Sequence, residues 1–255
     1  PKSLMTLCLY LVSVFGTGGF GYLVNDYYDK ANDYRLRKNN FVNRIGSPHL
    51  WRYFLLFIFL GWVPWIFLPH NKINLTLLFM LYLLFILYSR PPIRLKDKKI
   101  LGILTDSLYA HFIPCIITIY TFCLIGNSLP FSIVSLFAPL LLWQFLLGIR
   151  NISLHQLMDL THDREINAKT WGVHLGANKL KALLQYVIIP FEIISLIIFL
   201  IFFSDEIYLI IPGILIYWGF CLVRSRFLLK EPHAIDIKEF LNTYLDNYYY
   251  GLMPV

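Results

Sequence analysis

Four oxygen-bearing side chains lie close together in a polar stretch that follows the first apolar run of the chain. They are Asn25, Asp26, Asp29 and Asp33. If a helix continues through this stretch, spacings of three, four, seven and eight residues place them on one helix face. Carboxylates so close together repel one another unless a divalent cation neutralises them. Oxygen ligands without a nearby pair of Cys or His favour Mg²⁺ or Ca²⁺ over zinc.

Taken alone, this stretch also fits a solvated helix end whose carboxylates are balanced by nearby basic residues. A second pair, Asp159 and Asp163, stands at i, i+4 after a later apolar run and favours a metal-binding interpretation. The pattern of a calcium-binding EF-hand fails at Ala31, where a ligand is needed. Because Mg²⁺ typically binds through a few carboxylates plus substrate phosphates, we expect a phosphorylated substrate to supply the missing ligands.

A basic segment with a proline pair stands between the two acidic clusters. The prolines end the preceding helix and stiffen the turn, so we expect Arg94 and Lys96 on a short extended segment. Together with Tyr88, they are predicted to contact phosphate oxygens, Arg by forked contacts and Lys as a point charge. For Lys98 and Lys99 we prefer a role in membrane topology, because basic residues commonly follow a cytoplasmic helix end.

The elements that position these residues are predicted to be membrane-spanning helices. Of the 255 residues, 58% are hydrophobic and only 15% are charged, which excludes a soluble globular enzyme and a disordered chain. Crossing the membrane takes about 20 helical residues, and the apolar residues occupy all faces of each run. The predicted spans are Leu4–Val24, Leu50–Leu68, Ile73–Tyr88, Gly102–Leu124, Phe131–Ile152, Ala182–Phe203 and Ile207–Val223.

The basic residues predict how the spans are oriented. Of the 22 lysines and arginines, all but Lys2 and Lys72 fall in alternate connections, so the face that carries the acidic clusters is predicted to be cytoplasmic. Since the charges sit between apolar runs, we expect membrane lipid and no nucleic acid as a partner. The cysteines show no metal or disulfide spacing and are interpreted as small apolar residues. Both ends of the chain look cut, so we expect one further helix beyond each end of a single domain that spans residues 1–255.

Three patterns together resemble the motifs of the UbiA superfamily of membrane prenyltransferases. They are Asn-Asp-x-x-Asp-x-x-x-Asp from Asn25, Tyr-Ser-x-Pro-Pro-x-Arg-Leu-Lys from Tyr88, and Asp-x-x-x-Asp from Asp159. Their order and spacing match over nearly the whole chain. The resemblance implies an all-α bundle of nine spans, seven of them within this sequence. One departure is at Arg44, which lacks the following proline of the family's Arg-Pro-Leu-like stretch and is therefore not assigned a diphosphate role.

The resemblance also implies residue roles and a reaction. Two Asp-rich motifs would bind a polyprenyl diphosphate through Mg²⁺. The implied metal ligands are Asn25, Asp26, Asp29, Asp33, Asp159 and Asp163; Tyr88, Arg94 and Lys96 would bind the diphosphate, and Asp29, Asp163 and Lys96 would be catalytic.

The predicted activity is transfer of a prenyl group, an alkyl group other than methyl, to an unidentified acceptor in a bacterial inner membrane or its organelle equivalent. The acceptor could be aromatic, a quinone precursor or another lipid-phase molecule, and His155 and His111 are candidate acceptor contacts. Asp106 and Glu192, both within predicted spans, are further candidates for function. The alternatives are a UbiA-type terpene cyclase, which needs no acceptor, and a non-enzymatic cation transporter.

Overall fold

The protein is built from α-helices throughout the part of the chain that the structure describes. That structure, a computed structural model, covers residues 2–45, 49–125 and 137–202. The helices are α1 Lys2–Arg35, α2 Phe41–Ile45, α3 Leu50–Trp62, α4 Lys72–Ser89, α5 Ile100–Ser107, α6 Ile113–Ile125, α7 Ala138–Met158, α8 Leu160–Glu165, α9 Trp171–Leu175, α10 Ala177–Leu183 and α11 Ile189–Phe202. A π-helical turn joins α5 to α6 and another joins α10 to α11, so each pair forms one continuous rod.

The chain divides into two compact units, residues 1–196 and residues 197–255. The first unit contains α1 to α10 and the start of α11. In the second unit the described residues are those from 197 to 202, which complete α11.

Within the described ranges, four helical segments are long and apolar enough to cross a membrane: Leu4–Arg35, Lys72–Ser89, Ile100–Ile125 and Ala177–Phe202. The expectation of an all-α membrane protein is confirmed. The second predicted span, Leu50–Leu68, contains a shorter apolar helix over Leu50–Ile66. The fifth predicted span, Phe131–Ile152, overlaps α7, which continues to Met158. The seventh lies outside the described residues, so the span count stays a prediction.

Helix α1 continues through the first acidic stretch, as the sequence argument required. It ends in a Schellman arrangement, in which the N–H of Lys38 bonds the carbonyl of Asp33 at 2.9 Å and that of Arg37 bonds the carbonyl of Tyr34 at 3.2 Å. Arg37 has a φ of 53°, the left-handed conformation that this helix ending needs. The chain therefore turns back sharply just after Asp33.

Close backbone packing fixes α1 against α3. A Cβ atom at Gly16 would lie 2.3 Å from the backbone N of Gly61, so only glycine allows the two helices to approach this closely. Beside this contact, the Trp65 indole donates to Ser13 Oγ at 2.7 Å, and Ser13 in turn donates to the carbonyl of Gly61 at 2.7 Å. These buried bonds satisfy polar groups where no water is available. They hold α1 in place, and with it the acidic stretch at its end.

The segment after α4 differs from expectation. Helix α4 ends at Ser89, just before the proline pair, as predicted. The prediction of an extended segment is wrong: Arg94 has a φ of 38° and begins a 3-10 turn over Leu95–Asp97. The turn is closed by a bond from the N–H of Asp97 to the carbonyl of Arg94 at 3.0 Å. It directs the side chains of Arg94 and Lys96 back toward α1.

Cys8, Cys115 and Cys123 are free thiols within the described ranges; Cys8 is exposed and the other two are partly buried. Cys221 lies outside those ranges.

Candidate active site

The first two sequence patterns meet in a cluster of four side chains. Lys96 Nζ bonds Asn25 Oδ1 at 2.9 Å and also contacts Asp29 Oδ2. Arg94 Nη2 bonds the other carboxylate oxygen of Asp29 at 2.8 Å. Ser89 Oγ donates to Asn25 Oδ1 at 3.3 Å. The end of α1 and the turn after α4 therefore form one polar site.

This cluster is largely shielded from water and contains balanced charges. Side-chain exposure is 15% for Asp29, 19% for Arg94 and 14% for Lys96. Burial lowers the pKa of the Lys96 ammonium, while the Asp29 carboxylate beside it acts in the opposite direction. Arg94 Nε also pairs with Asp97 Oδ2 at 2.8 Å. The carboxylates of Asp29 and the neighbouring Asp97 thus balance the charges of Arg94 and Lys96. Arg94 and Lys96 retain further N–H donors that could meet an oxyanion.

Asp26 and Asp33 do not join this cluster. The N–H of Phe41 donates to Asp26 Oδ2 at 2.8 Å, at the start of α2. The amide of Asn40, only 2% exposed, donates to Asp33 Oδ2 at 2.7 Å and to the carbonyl of Asp26 at 2.9 Å. In this structure the two carboxylates therefore hold the loop between α1 and α2.

The second acidic pair follows α7: Asp159 lies between α7 and α8, and Asp163 lies in α8. This region contacts the loops of the first two patterns. Lys38, just after α1, pairs with Asp159 Oδ2 at 2.8 Å, in an exposed setting. Thr170 Oγ1 donates to Asp163 Oδ2 at 2.9 Å. Burial raises the pKa of the Asp163 carboxyl, and the bond from Thr170 partly offsets that shift. The backbones of Lys99 and Thr170 form an isolated parallel bridge. All three loops consequently lie at the same end of the helices.

Comparison with known proteins now identifies the fold family. The model of the UbiA prenyltransferase family matches residues 1–244. The chain belongs to the UbiA prenyltransferase family. Structures of a UbiA homologue from Archaeoglobus fulgidus are similar: one bound to GPP and Mg²⁺ at 18% identity and a TM-score of 0.61, and one bound to DMAPP and Mg²⁺ at 19% identity and a TM-score of 0.60. Both cover 95% of this chain and 83% of the homologue. No curated protein sequence matches.

The donor set of this UbiA family member suits a hard divalent cation. The residues implied as ligands offer only oxygen atoms, which is the chemistry that Mg²⁺ prefers. Two of those oxygens, Asn25 Oδ1 and Asp29 Oδ2, already converge on one cationic atom, Lys96 Nζ. Within the described ranges, no three His, Cys, Asp or Glu side chains gather closely enough to hold an ion by themselves. Substrate oxygens would therefore have to complete the coordination.

Tyr88 directly precedes Ser89, whose hydroxyl bonds Asn25 in the four-residue cluster of Asn25, Asp29, Arg94 and Lys96. Its ring is buried and packs edge-on against Tyr109, with centroids 5.2 Å apart. The hydroxyl of Tyr109 donates to Asp106 Oδ1, so these residues form an aromatic and acidic wall. Neither Tyr109 nor its link to Asp106 follows from the sequence patterns, although the spacing of three residues on one helix is compatible with contact.

The two candidate acceptor histidines are not brought to the four-residue cluster by any contact among the described residues. His111 Nε2 lies 3.2 Å from Asn151 Nδ2, between the π-helical turn and α7. His155 is exposed near the end of α7. Arg44 bonds Asn39 Oδ1, so the structure gives it no part in the cluster either. Glu192 forms a buried ion pair with Arg150.

The contacts that sequence reasoning missed come from Lys38, Asn40, Ser89, Asp97 and Thr170. Each lies in a loop or at a helix end, where partners depend on the tertiary fold. Only Asp97 carried a local signal, since its spacing of three residues from Arg94 within a turn permits an ion pair.

Proposed function

We propose that the protein transfers a prenyl group from a polyprenyl diphosphate to an acceptor within the membrane, with Mg²⁺ assisting departure of the diphosphate. The observation that supports this most strongly is the contact of Asn25 and Asp29 with Arg94 and Lys96. This contact joins an acidic helix end to a turn that carries two basic residues, in a member of the UbiA prenyltransferase family.

The chemistry explains why such a cluster is useful. When the bond from the allylic carbon to the diphosphate oxygen breaks, its electron pair leaves with the diphosphate, and negative charge builds on the departing oxygens. Donors fixed in advance stabilise that charge more strongly in the transition state than in the bound substrate. Arg94 and Lys96 would supply such donors, and Asp29 would hold both side chains in position.

The acidic residues would hold the metal from two sides. Asn25, Asp26, Asp29 and Asp33 are the proposed ligands on the last turns of α1. Asp159, at the junction of α7 and α8, and Asp163, in α8, are the proposed ligands on the other side. When bound, Mg²⁺ would supply positive charge against the diphosphate oxygens. Access to the site would be from the cytoplasmic face, as the distribution of basic residues predicts.

The wall below the cluster would protect the allylic cation from water. Tyr88 is the residue before Ser89, and its ring packs edge-on against that of Tyr109. The face of a tyrosine ring attracts a cation. Excluding water favours capture of the cation by the intended acceptor over hydrolysis.

The test is diphosphate release by the purified full chain with Mg²⁺ and a series of prenyl diphosphates of increasing length. Asp29→Asn and Asp163→Asn are expected to reduce the rate at least about 100-fold, as removal of a positioned charge does in other active sites. Glu165→Gln, at an exposed carboxylate two residues after Asp163, is the matched control and should leave the rate unchanged.

Two results would change the conclusion. Full turnover in either the Asp29 or the Asp163 variant would refute the proposed mechanism. Mass spectrometry of the products with the diphosphate as sole substrate would separate the alternatives, because a cyclised hydrocarbon formed without any acceptor identifies a cyclase.

A further inference from the structure

An open surface groove, called a cavity below, lies beside the turn that carries Arg94 and Lys96. Its volume is about 560 Å³, and it opens between the 3-10 turn after α4 and the chain that leads from α8 into α9. The polar residues that line it are Asp97, Lys98, Lys99, Lys169, Thr170 and His174. A volume of a few hundred cubic ångströms is typical of sites for small ligands.

The walls of this cavity are fixed by backbone contacts. Lys99 forms a parallel bridge with Thr170, which ties the two walls together. Lys99 adopts a φ of 53° and a ψ of −120°, a conformation that strains a residue with a side chain. Thr170 Oγ1 accepts from the N–H of Val173 and donates to Asp163. The cavity is thus a built feature of the fold, and it shares Thr170 with the second acidic pair.

The charge of the cavity is unbalanced. Lys98, Lys99 and Lys169 come from two separate segments, and among the described residues no ion pair involves any of them. The carboxylate of Asp97 is already paired with Arg94 at 2.8 Å. Membrane topology accounts for the number of lysines on this face, but it does not require three of them to converge on one cavity. Lys98, Lys99 and Lys169 are exposed and all line this one groove, and their combined positive charge favours an anion there.

We infer that this cavity binds a phosphate group of the second substrate, so that the acceptor is a phosphate ester and not an uncharged quinone precursor. Identifying the bound molecule as the acceptor rests on the proposed function, whereas the presence of an anion site does not. Its position supports the assignment, because Asp97 links the cavity through Arg94 to Asp29, and Thr170 links it to Asp163. A phosphate held here would lie next to the prenyl diphosphate without occupying its site.

The test measures binding to the full chain in lipid nanodiscs with the diphosphate site filled by geranyl thiolodiphosphate and Mg²⁺. One arm adds glycerol phosphate in solution, and the other replaces phosphatidylcholine with phosphatidic acid in the nanodisc. The variant is Lys98→Gln/Lys169→Gln. The matched control is Lys179→Gln/Lys181→Gln, which removes the same charge from exposed positions on α10 outside the cavity.

We expect the Lys98/Lys169 variant to weaken binding of at least one probe by about tenfold or more, since contacts to charged groups are worth this much. The control variant should bind as the wild type does. If only phosphatidic acid shows the effect, the phosphate belongs to a lipid headgroup; if glycerol phosphate shows it, the phosphate is water soluble. Equal binding by all variants, an equal loss in the control, or binding of neither probe to the wild type would overturn the inference. Binding of the thiolodiphosphate is measured first and separately, so a failure of the proposed function is distinguishable.

Discussion

The buried ion pair between Arg150 and Glu192 gives the sharpest prediction about stability. Arg150 Nε lies 2.6 Å from Glu192 Oε2, and Arg150 Nη2 lies 2.8 Å from Oε1, so the contact is bidentate. The two side chains are only 6% and 9% exposed. The pair joins α7 to α11, and Asp159 follows Arg150 at the end of α7, about 14 Å further along the helix axis. The pair therefore helps to fix the helix that carries the second acidic pair.

We expect Arg150→Met and Glu192→Met, each alone, to destabilise the protein by about 3–5 kcal/mol, because either change leaves the other charge buried without its partner. The double variant should lie within about 1 kcal/mol of the wild type or above it, since two apolar side chains of similar volume remove both desolvation costs. The coupling between the two positions should consequently be about 5 kcal/mol or more, which is above the usual range for residues in contact.

The assay is reversible unfolding of the purified protein in mixed micelles of mild detergent and SDS, followed by circular dichroism. Diphosphate release per folded molecule is measured in parallel. It should be near the wild-type value in the double variant, because neither residue touches the proposed site. Single variants that each cost less than about 1 kcal/mol would refute the reasoning, since a pair with so little effect is solvated.

Two further predictions concern the framework around the site. Gly16→Ala should weaken the packing of α1 on α3 and lower stability by about 1–3 kcal/mol or more, because its Cβ would fall 2.3 Å from the backbone N of Gly61. Gly18→Ala, where nothing lies within 4 Å of the added Cβ, is the control in the same SDS titration, and equal effects of the two changes would contradict the packing argument. Asn40→Ala should cost about 1–3 kcal/mol through lost buried hydrogen bonds and should slow diphosphate release by loosening Asp33. Unchanged stability and rate, measured by the same two assays, would show that the loop does not depend on this amide.

The sequence was informative where the signal is local. Continuous apolar composition predicts α1, and the absence of a helix breaker carries that helix through Asn25 and Asp29. The proline pair predicts the end of α4 at Ser89. The resemblance to the UbiA superfamily, carried by three short patterns, indicated that residues about 65 positions apart in the chain would meet.

The sequence was uninformative where a residue's partner is chosen by the tertiary fold. Asp26 and Asp33 have the same spacing signal as Asp29, yet their carboxylates bond to the loop around Asn40, because the chain turns back after α1. Arg94 was expected on an extended segment, but a left-handed backbone at that residue aims its guanidinium at Asp29. Such a conformation is rare outside glycine and is not readable from residue type.

The charge balance of the cluster bears directly on the need for a metal. Asp29 and Asp97 neutralise Arg94 and Lys96, so these four residues carry no net charge to set against a trianionic diphosphate. Their remaining donors can orient such a group, but the attraction must come from additional positive charge. The remaining carboxylates of the two acidic stretches make the problem worse, because their negative charge would repel the diphosphate. A divalent cation between those oxygens and the diphosphate resolves both problems, which is why we expect binding of a prenyl thiolodiphosphate to fall sharply when Mg²⁺ is removed with a chelator. Tight binding in the presence of EDTA would show that this charge accounting is wrong.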